Sequence, residues 1–147
     1  MIVRTFVDSN ILIYAYDLDA GERRQQAVEC LDRLWNNQAG RLSTQVLQEF
    51  YATVTQKIRT PLVRARARQV IRNYAAWVTS YITPETIVRA SEISEVWQIS
   101  FWDGLIVAAA EEAGASELLS EDLNHGQLIV GIRIVNPFVP SNGQSAN

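Results

Sequence analysis

Short apolar runs of β character alternate along this chain with longer stretches of helical period, and that alternation constrains the fold more than any other feature. "IVRTFV" near the N-terminus, "GRLS" at 40–43, "ELLS" at 117–120 and "IRIVNPF" at 132–138 read as strands. Apolar residues at three- and four-residue spacing predict helices over 22–36, 45–58, 62–78, 84–97 and 103–113. Two boundaries have a local cause. Thr83-Pro84-Glu85 combines an N-cap, a proline at the first helical position and an acid in the first turn, and Gly114 suits a left-handed stop after "AAAEEA". Strands separated by helices pair in parallel, and a parallel sheet needs cover on both faces. The expected fold class is therefore α/β, a three-layer sandwich with a mostly parallel twisted sheet and helices on both sides.

At 147 residues the chain is long enough for one domain with its own core, expected over 1–139 and followed by a disordered tail, "PSNGQSAN", at 140–147. Arg4, Asp8 and Asn10 interrupt what would be the apolar part of a secretory signal, and no later apolar run is long enough to cross a membrane. The single cysteine, Cys30, lies in helical "RRQQAVECLDRLW" and reads as a small core residue in a reducing compartment, so a cytoplasmic location is expected. A net charge of −3 argues against binding a polyanion by bulk charge. Local distribution decides the matter instead.

In a parallel sheet with right-handed crossovers, the end of each strand and the start of each helix that leads to or from it lie on the carboxyl edge. Asp8 follows the first strand, Glu49 lies in the first two turns of the helix after "RLS", Asp103 opens the helix before "ELLS", and Asp122 stands two residues past that strand. Two carboxylates about 5 Å apart repel by roughly 3 kcal/mol at an effective dielectric of about 20, whereas a helix N-terminus returns only about 0.3–1 kcal/mol. A divalent cation offsets such a cluster, and an all-oxygen set without His or Cys suits Mg²⁺ or Mn²⁺ rather than Zn²⁺. A hard cation held this way can activate water and stabilise charge on a phosphodiester.

"FVDSNILIYAYD", "STQVLQEFY", "SFWDGLIVAAAEEAG" and "LLSEDL" resemble, in order and spacing, the motifs of PIN-domain proteins, particularly the VapC-type toxins of toxin-antitoxin pairs, from about residue 2 to 139. That resemblance implies a metal-dependent endoribonuclease acting on RNA, homodimeric and held inactive by a cognate antitoxin. It places Asp8, Glu49, Asp103 and Asp122 at the acidic metal-site positions, with Asn10 and Ser120 as supporting polar residues. Glu121 occupies the variable position between Ser120 and Asp122, so either acid can face the metal and spacing favours Asp122. His125-Gly126 stands where many relatives carry an aromatic residue.

Each residue also has a purely local reading. Asp8 can close an Asx turn, Glu49 can be a solvated residue opposite the apolar face of Leu47, Phe50, Tyr51, Val54 and Ile58, and Asp122 can be a turn residue. Ser100-Phe101-Trp102-Asp103 fits a capping box, a role compatible with metal binding. His125 is read as a loop residue rather than a general base. Arg64, Arg68 and Arg72 share one helix stripe, apart from an apolar face of Val63, Ala67, Val70, Ile71 and Tyr74; the stripe can contact RNA phosphates or simply be solvated. Trp35, Trp77, Trp97 and Trp102 read as core or dimer packing. Two other classes remain for comparison. A haloacid-dehalogenase-like or receiver-type phosphotransfer domain lacks its Asp-x-Asp or its late lysine, and a non-catalytic RNA-binding or protein-interaction module would retain four repelling acids without use.

Overall fold

The computed structural model describes residues 3–140. Five strands form one sheet: β1 (Thr5–Val7), β2 (Gly40–Arg41), β3 (Glu117–Leu119), β4 (Leu128–Ile129) and β5 (Ile132–Val135), in the order β2-β1-β3-β5-β4. β1 pairs in parallel with β2 and β3, and β3 with β5, while β4 adds antiparallel at the edge. Among the described residues six α-helices accompany the sheet: α1 (Ser9–Ala15), α2 (Glu22–Asn36), α3 (Thr44–Gln56), α4 (Arg64–Tyr74), α5 (Pro84–Trp97) and α6 (Phe101–Glu112). The α/β architecture and the mostly parallel sheet agree with the sequence reading. No helix among the described residues is long and apolar enough to cross a membrane.

The sheet centre is dry. Phe6, Val7, Leu118, Leu119 and Ile134 are fully or almost fully buried, and Ile11, Leu12, Val46, Phe50, Val54 and Ile93 close over them from the helices. Cys30 is buried on α2, as expected of a small core residue. α5 and α6 form the tightest helix pair: a Cβ on Gly104 would stand 2.6 Å from the Ala90 carbonyl oxygen, so only glycine permits this approach. Arg89 donates from Nε and Nη2 to the two oxygens of Glu111, at 2.9 and 3.0 Å, and fixes the same pair at its rim.

Several boundaries differ from those read in the sequence. α1 was not anticipated: Asp8 ends the strand and caps a helix of seven residues at once. "GRLS" contributes only Gly40 and Arg41 to the sheet, because Ser43 must leave it to cap α3 through the Val46 N–H. The helix expected over 62–78 runs over Arg64–Tyr74 and tightens into a 3-10 turn at Ala75–Trp77. Val63, assigned to its apolar face, is exposed, whereas Ala67, Val70 and Tyr74 are buried. "IRIVNPF" stops pairing at Val135 and is preceded by the short β4, joined through Val130 and Gly131, both at positive φ. The tail expected at 140–147 lies, after Pro140, outside the described residues.

Among the tryptophans, Trp77 is buried and Trp97 partly so, but Trp102 is 63% exposed and Trp35 45% exposed. Trp102 therefore departs from the core reading: the buried face of α6 runs over 104–110 and Trp102 lies off it. Trp35 keeps an aromatic contact with Tyr74 and Trp77, with centroids 5.4 Å away in both cases.

Candidate active site

The sheet order places the site. β1 leads through α1 and α2 to β2 on one side, while its other neighbour β3 leads on to β5, so the two central strands send their connections in opposite directions. A crevice opens at the carboxyl ends of two such strands. Register then matters: Val7 is opposite Leu119, so the next residues, Asp8 and Ser120, emerge side by side. The Asp8 N–H still donates to the Leu119 carbonyl at 3.0 Å, and the Ser120 N–H to the Val135 carbonyl at 3.0 Å.

Asp8 is buried at 4% exposure with both oxygens engaged. Oδ1 accepts from the Ser9 N–H at 2.7 Å and caps α1; Oδ2 accepts from the Ser120 hydroxyl at 2.8 Å and from Asn10 Nδ2 at 3.4 Å. The local cap therefore uses one oxygen and leaves the other to Ser120 and Asn10. Asn10 Nδ2 also donates to Asp122 Oδ2 at 3.1 Å, and the Asp122 N–H donates to Ser120 Oγ at 3.1 Å. Asn10 and Ser120, the two expected supporting residues, thus each bridge Asp8 to Asp122.

Asp103 and Glu49 approach from the helices, both half-buried. Ser100 caps α6 by accepting the Asp103 N–H at 3.0 Å, which places the Asp103 carboxyl in the first turn. Glu49 Oε2 accepts from Gln45 Nε2 at 3.4 Å, one helical turn earlier. Gln45, passed over in the sequence, is 5% exposed and its Oε1 has no hydrogen-bond partner, which leaves a buried acceptor beside Glu49. Its signal would have been the four-residue spacing to Glu49 on a helix whose apolar face it does not otherwise fit.

Electrostatics join the four acids. Burial pushes the Asp8 carboxyl up to about 6 against the pull of Ser120 and Ser9, and the charges of Asp122 and Glu49 add to the rise. Burial also raises Asp103, opposed by Ser100 and reinforced by Asp122 and Glu49. Asp122 and Glu49 thus each lie within reach of both Asp8 and Asp103. Among the described residues, however, no three His, Cys, Asp or Glu side chains converge closely enough to enclose an ion as they stand. Asp8 and Asp122 are linked through Asn10 and Ser120, and Glu49 and Asp103 through the field alone.

The Glu121 side chain takes no part in that linkage. Its Oε1 accepts from the Tyr14 hydroxyl at 2.7 Å and its Oε2 from Arg23 Nε at 2.8 Å, so of the two consecutive acids it is Asp122 that meets Asn10. His125 Nδ1 accepts the Asn136 N–H at 3.0 Å, tying the loop after β3 to the segment after β5, in keeping with a loop role. Arg64, Arg68 and Arg72 are all exposed on α4.

A cation fits this donor set. The donors are hard oxygens, Asp8 is charged only at a cost in its buried position, and like charges raise that cost further. A divalent ion would remove the penalty on Asp8 and the repulsion among the acids together.

The family model for the PIN domain matches residues 5–128. No curated protein matches the sequence significantly. Among solved structures, the chain is similar to one in a toxin-antitoxin complex from Klebsiella pneumoniae, at 20% identity and a TM-score of 0.65, covering 91% of this chain and 98% of that one. It is also similar to VapC20 of Mycobacterium tuberculosis, a sarcin-ricin loop cleaving toxin, at 19% identity and a TM-score of 0.57, covering 80% and 91%. A third, in DNA-bound VapBC from Salmonella typhimurium, shares 17% identity at a TM-score of 0.61, covering 92% and 99%. At such identities the likeness is one of fold.

Proposed function

The chain belongs to the PIN domain family, and on that premise we propose that it is a Mg²⁺- or Mn²⁺-dependent endoribonuclease, the toxin of a type II toxin-antitoxin pair. One observation carries the reading: a buried Asp8 at the crevice between β1 and β3, bridged to Asp122 by Asn10 and Ser120 and sensing the charge of Glu49. A scaffold or binding module gains nothing from charge held at this cost.

Asp8 and Asp122 would hold the ion with Asp103 and Glu49, directly or through water. The bound ion would supply Lewis-acid activation of water and of the phosphodiester. Asn10 keeps Asp8 and Asp122 on one amide group, and Ser120 donates to Asp8 while accepting the Asp122 N–H, so the pair is oriented before any ligand arrives. Glu49, in the second turn of α3, and Asp103, in the first turn of α6, would complete the set from the helices. The exposed Arg64, Arg68 and Arg72 stripe would supply sequence-independent phosphate contacts. The toxin-antitoxin complexes among its structural neighbours support a cognate antitoxin, and a homodimer and a cytoplasmic setting complete the reading.

Cleavage of a defined single-stranded RNA tests it. The wild-type protein cuts with Mg²⁺ or Mn²⁺ and stops with chelator, and Asp8→Asn lowers the rate by about a hundredfold or more, as loss of a principal ligand does. Cleavage indifferent to both chelation and substitution would refute the reading.

A further inference from the structure

Glu121 lies one residue from Asp122 yet is committed to a different set of partners, none of which the proposed reaction uses. Its Oε1 accepts from the Tyr14 hydroxyl at 2.7 Å, and its Oε2 accepts from Arg23 Nε at 2.8 Å with Nη2 at 2.6 Å. The Arg23 guanidinium in turn covers two rings, 5.7 Å from the centroid of Tyr14 and 5.1 Å from that of Phe138, and these rings meet edge to face at 5.3 Å. α1, α2, the turn after β3 and the segment after β5 are thereby tied at one point.

An exposed ion pair by itself is worth little. This one differs in that its cation is held on two aromatic faces and its anion takes a further hydroxyl donor, so neither partner is free to sample other geometries. The backbone of the same residue faces the site: the Glu121 N–H donates to Asn10 Oδ1 at 3.3 Å, and Asn10 Nδ2 donates to Asp122 Oδ2 at 3.1 Å. Side chain and backbone of Glu121 therefore brace the turn from opposite sides. Arg23 also neutralises a fifth carboxylate that would otherwise stand beside four others and compete with Asp122 for Asn10.

We propose that Arg23, Tyr14 and Glu121 are positioning residues, a clamp that holds the turn at 120–122 so that Asp122 stays against Asn10 and Asp8. The clamp is a statement about this geometry; only its consequence, a higher affinity for a divalent cation, rests on the nuclease reading.

Two readouts on the same proteins test it: the Asn10 side-chain amide resonances without metal, and Mg²⁺ affinity by calorimetry. Arg23→Ala and Glu121→Ala should each shift the Asn10 resonances and each weaken Mg²⁺ binding by about tenfold. The double variant should be no worse than the worse single one, since either change opens the same clamp. Glu121→Gln, whose amide oxygen still accepts from Arg23, should retain most of the affinity. Glu117→Gln, which removes one negative charge at the other end of β3, should alter neither readout. Tyr14→Phe removes one donor and keeps the ring, and is expected to shift the Asn10 resonances even if Arg23→Ala does not fold. The sign for Arg23→Ala is decisive: if Glu121 were a metal ligand or merely one more charge, freeing it would tighten Mg²⁺ binding. Tighter binding, or unmoved Asn10 resonances, overturns the clamp. A wild-type protein that takes up no Mg²⁺ overturns the nuclease reading, while the Asn10 resonances still decide the clamp.

Discussion

At the scale of single residues, Asp8 carries the account, and its burial makes it testable by pH. Its folded value of about 6 lies above the ordinary 3.8, so between those limits the folded chain keeps a proton that the unfolded chain has lost. Stability from this group is full below about pH 4 and is lost as pH rises through about 6, by roughly 2–3 kcal/mol in the metal-free protein. Asp8→Asn should remove that part of the pH dependence and melt higher than wild type at pH 7 without metal, as thermal unfolding across pH 4–8 would show. An identical pH profile for the two proteins would mean that Asp8 ionises freely. Asp8 and Asp122 were legible in the sequence because each stands just past a strand end, whereas Asn10 and Ser120 were read only from the resemblance to PIN-domain motifs; the register of β1 on β3 sets Ser120 beside Asp8. Spacing favoured Asp122 over Glu121, but the cause was not readable: the Glu121 carboxylate is drawn off by Tyr14 and Arg23, 107 and 98 residues away in the chain.

Helices deliver the other two acids, and the placement of Asp103 depends on the close contact between α5 and α6. Gly104 follows Asp103 directly, and Gly104→Ala would drive a methyl against the Ala90 carbonyl at 2.6 Å. Backbone cannot retreat as a side chain can, so we expect a loss of about 1–3 kcal/mol by chemical denaturation together with reduced activity, whereas an unchanged midpoint would show that α5 and α6 part easily. Ser100→Ala removes the cap on the Asp103 N–H and should cost about 1 kcal/mol. On α4, replacing Arg64, Arg68 and Arg72 together by Ala should weaken RNA binding and lower the dependence of log K on log salt by up to about 2, at about 0.7 per lost contact to a single strand. An unaltered salt slope would assign the stripe to solvent. Elements with strong period or clear caps, such as α5 with Thr83 and Pro84, were readable in advance. α1 was not, since "SNILIYA" is too short for a period to emerge, and neither was the β4–β5 hairpin, whose Val130-Gly131 turn lacks the Asn-Gly or Asp-Gly signal.

Across the whole molecule, the fold converts sequence distance into proximity: Asp8 and Asp122 are bridged by Asn10 and Ser120 at the edge where β1 and β3 diverge, and Glu49 and Asp103 come from two helices into the same electrostatic field. The alternation of strand and helix was enough to read this edge, because parallel pairing fixes which end of every strand faces the same way. Side-chain closure around an ion is a different matter, since the acids repel until a cation is present. A crystal grown with Mn²⁺ and measured for anomalous scattering is the most direct test of that claim. One or more Mn²⁺ peaks are expected about 2.0–2.3 Å from carboxylate oxygens of Asp8 and Asp122, with Asp103 and Glu49 drawn to the same ion or its waters. Mn²⁺ bound only elsewhere on the surface, with Asp8 and Asp122 still joined through Asn10 alone, would contradict it.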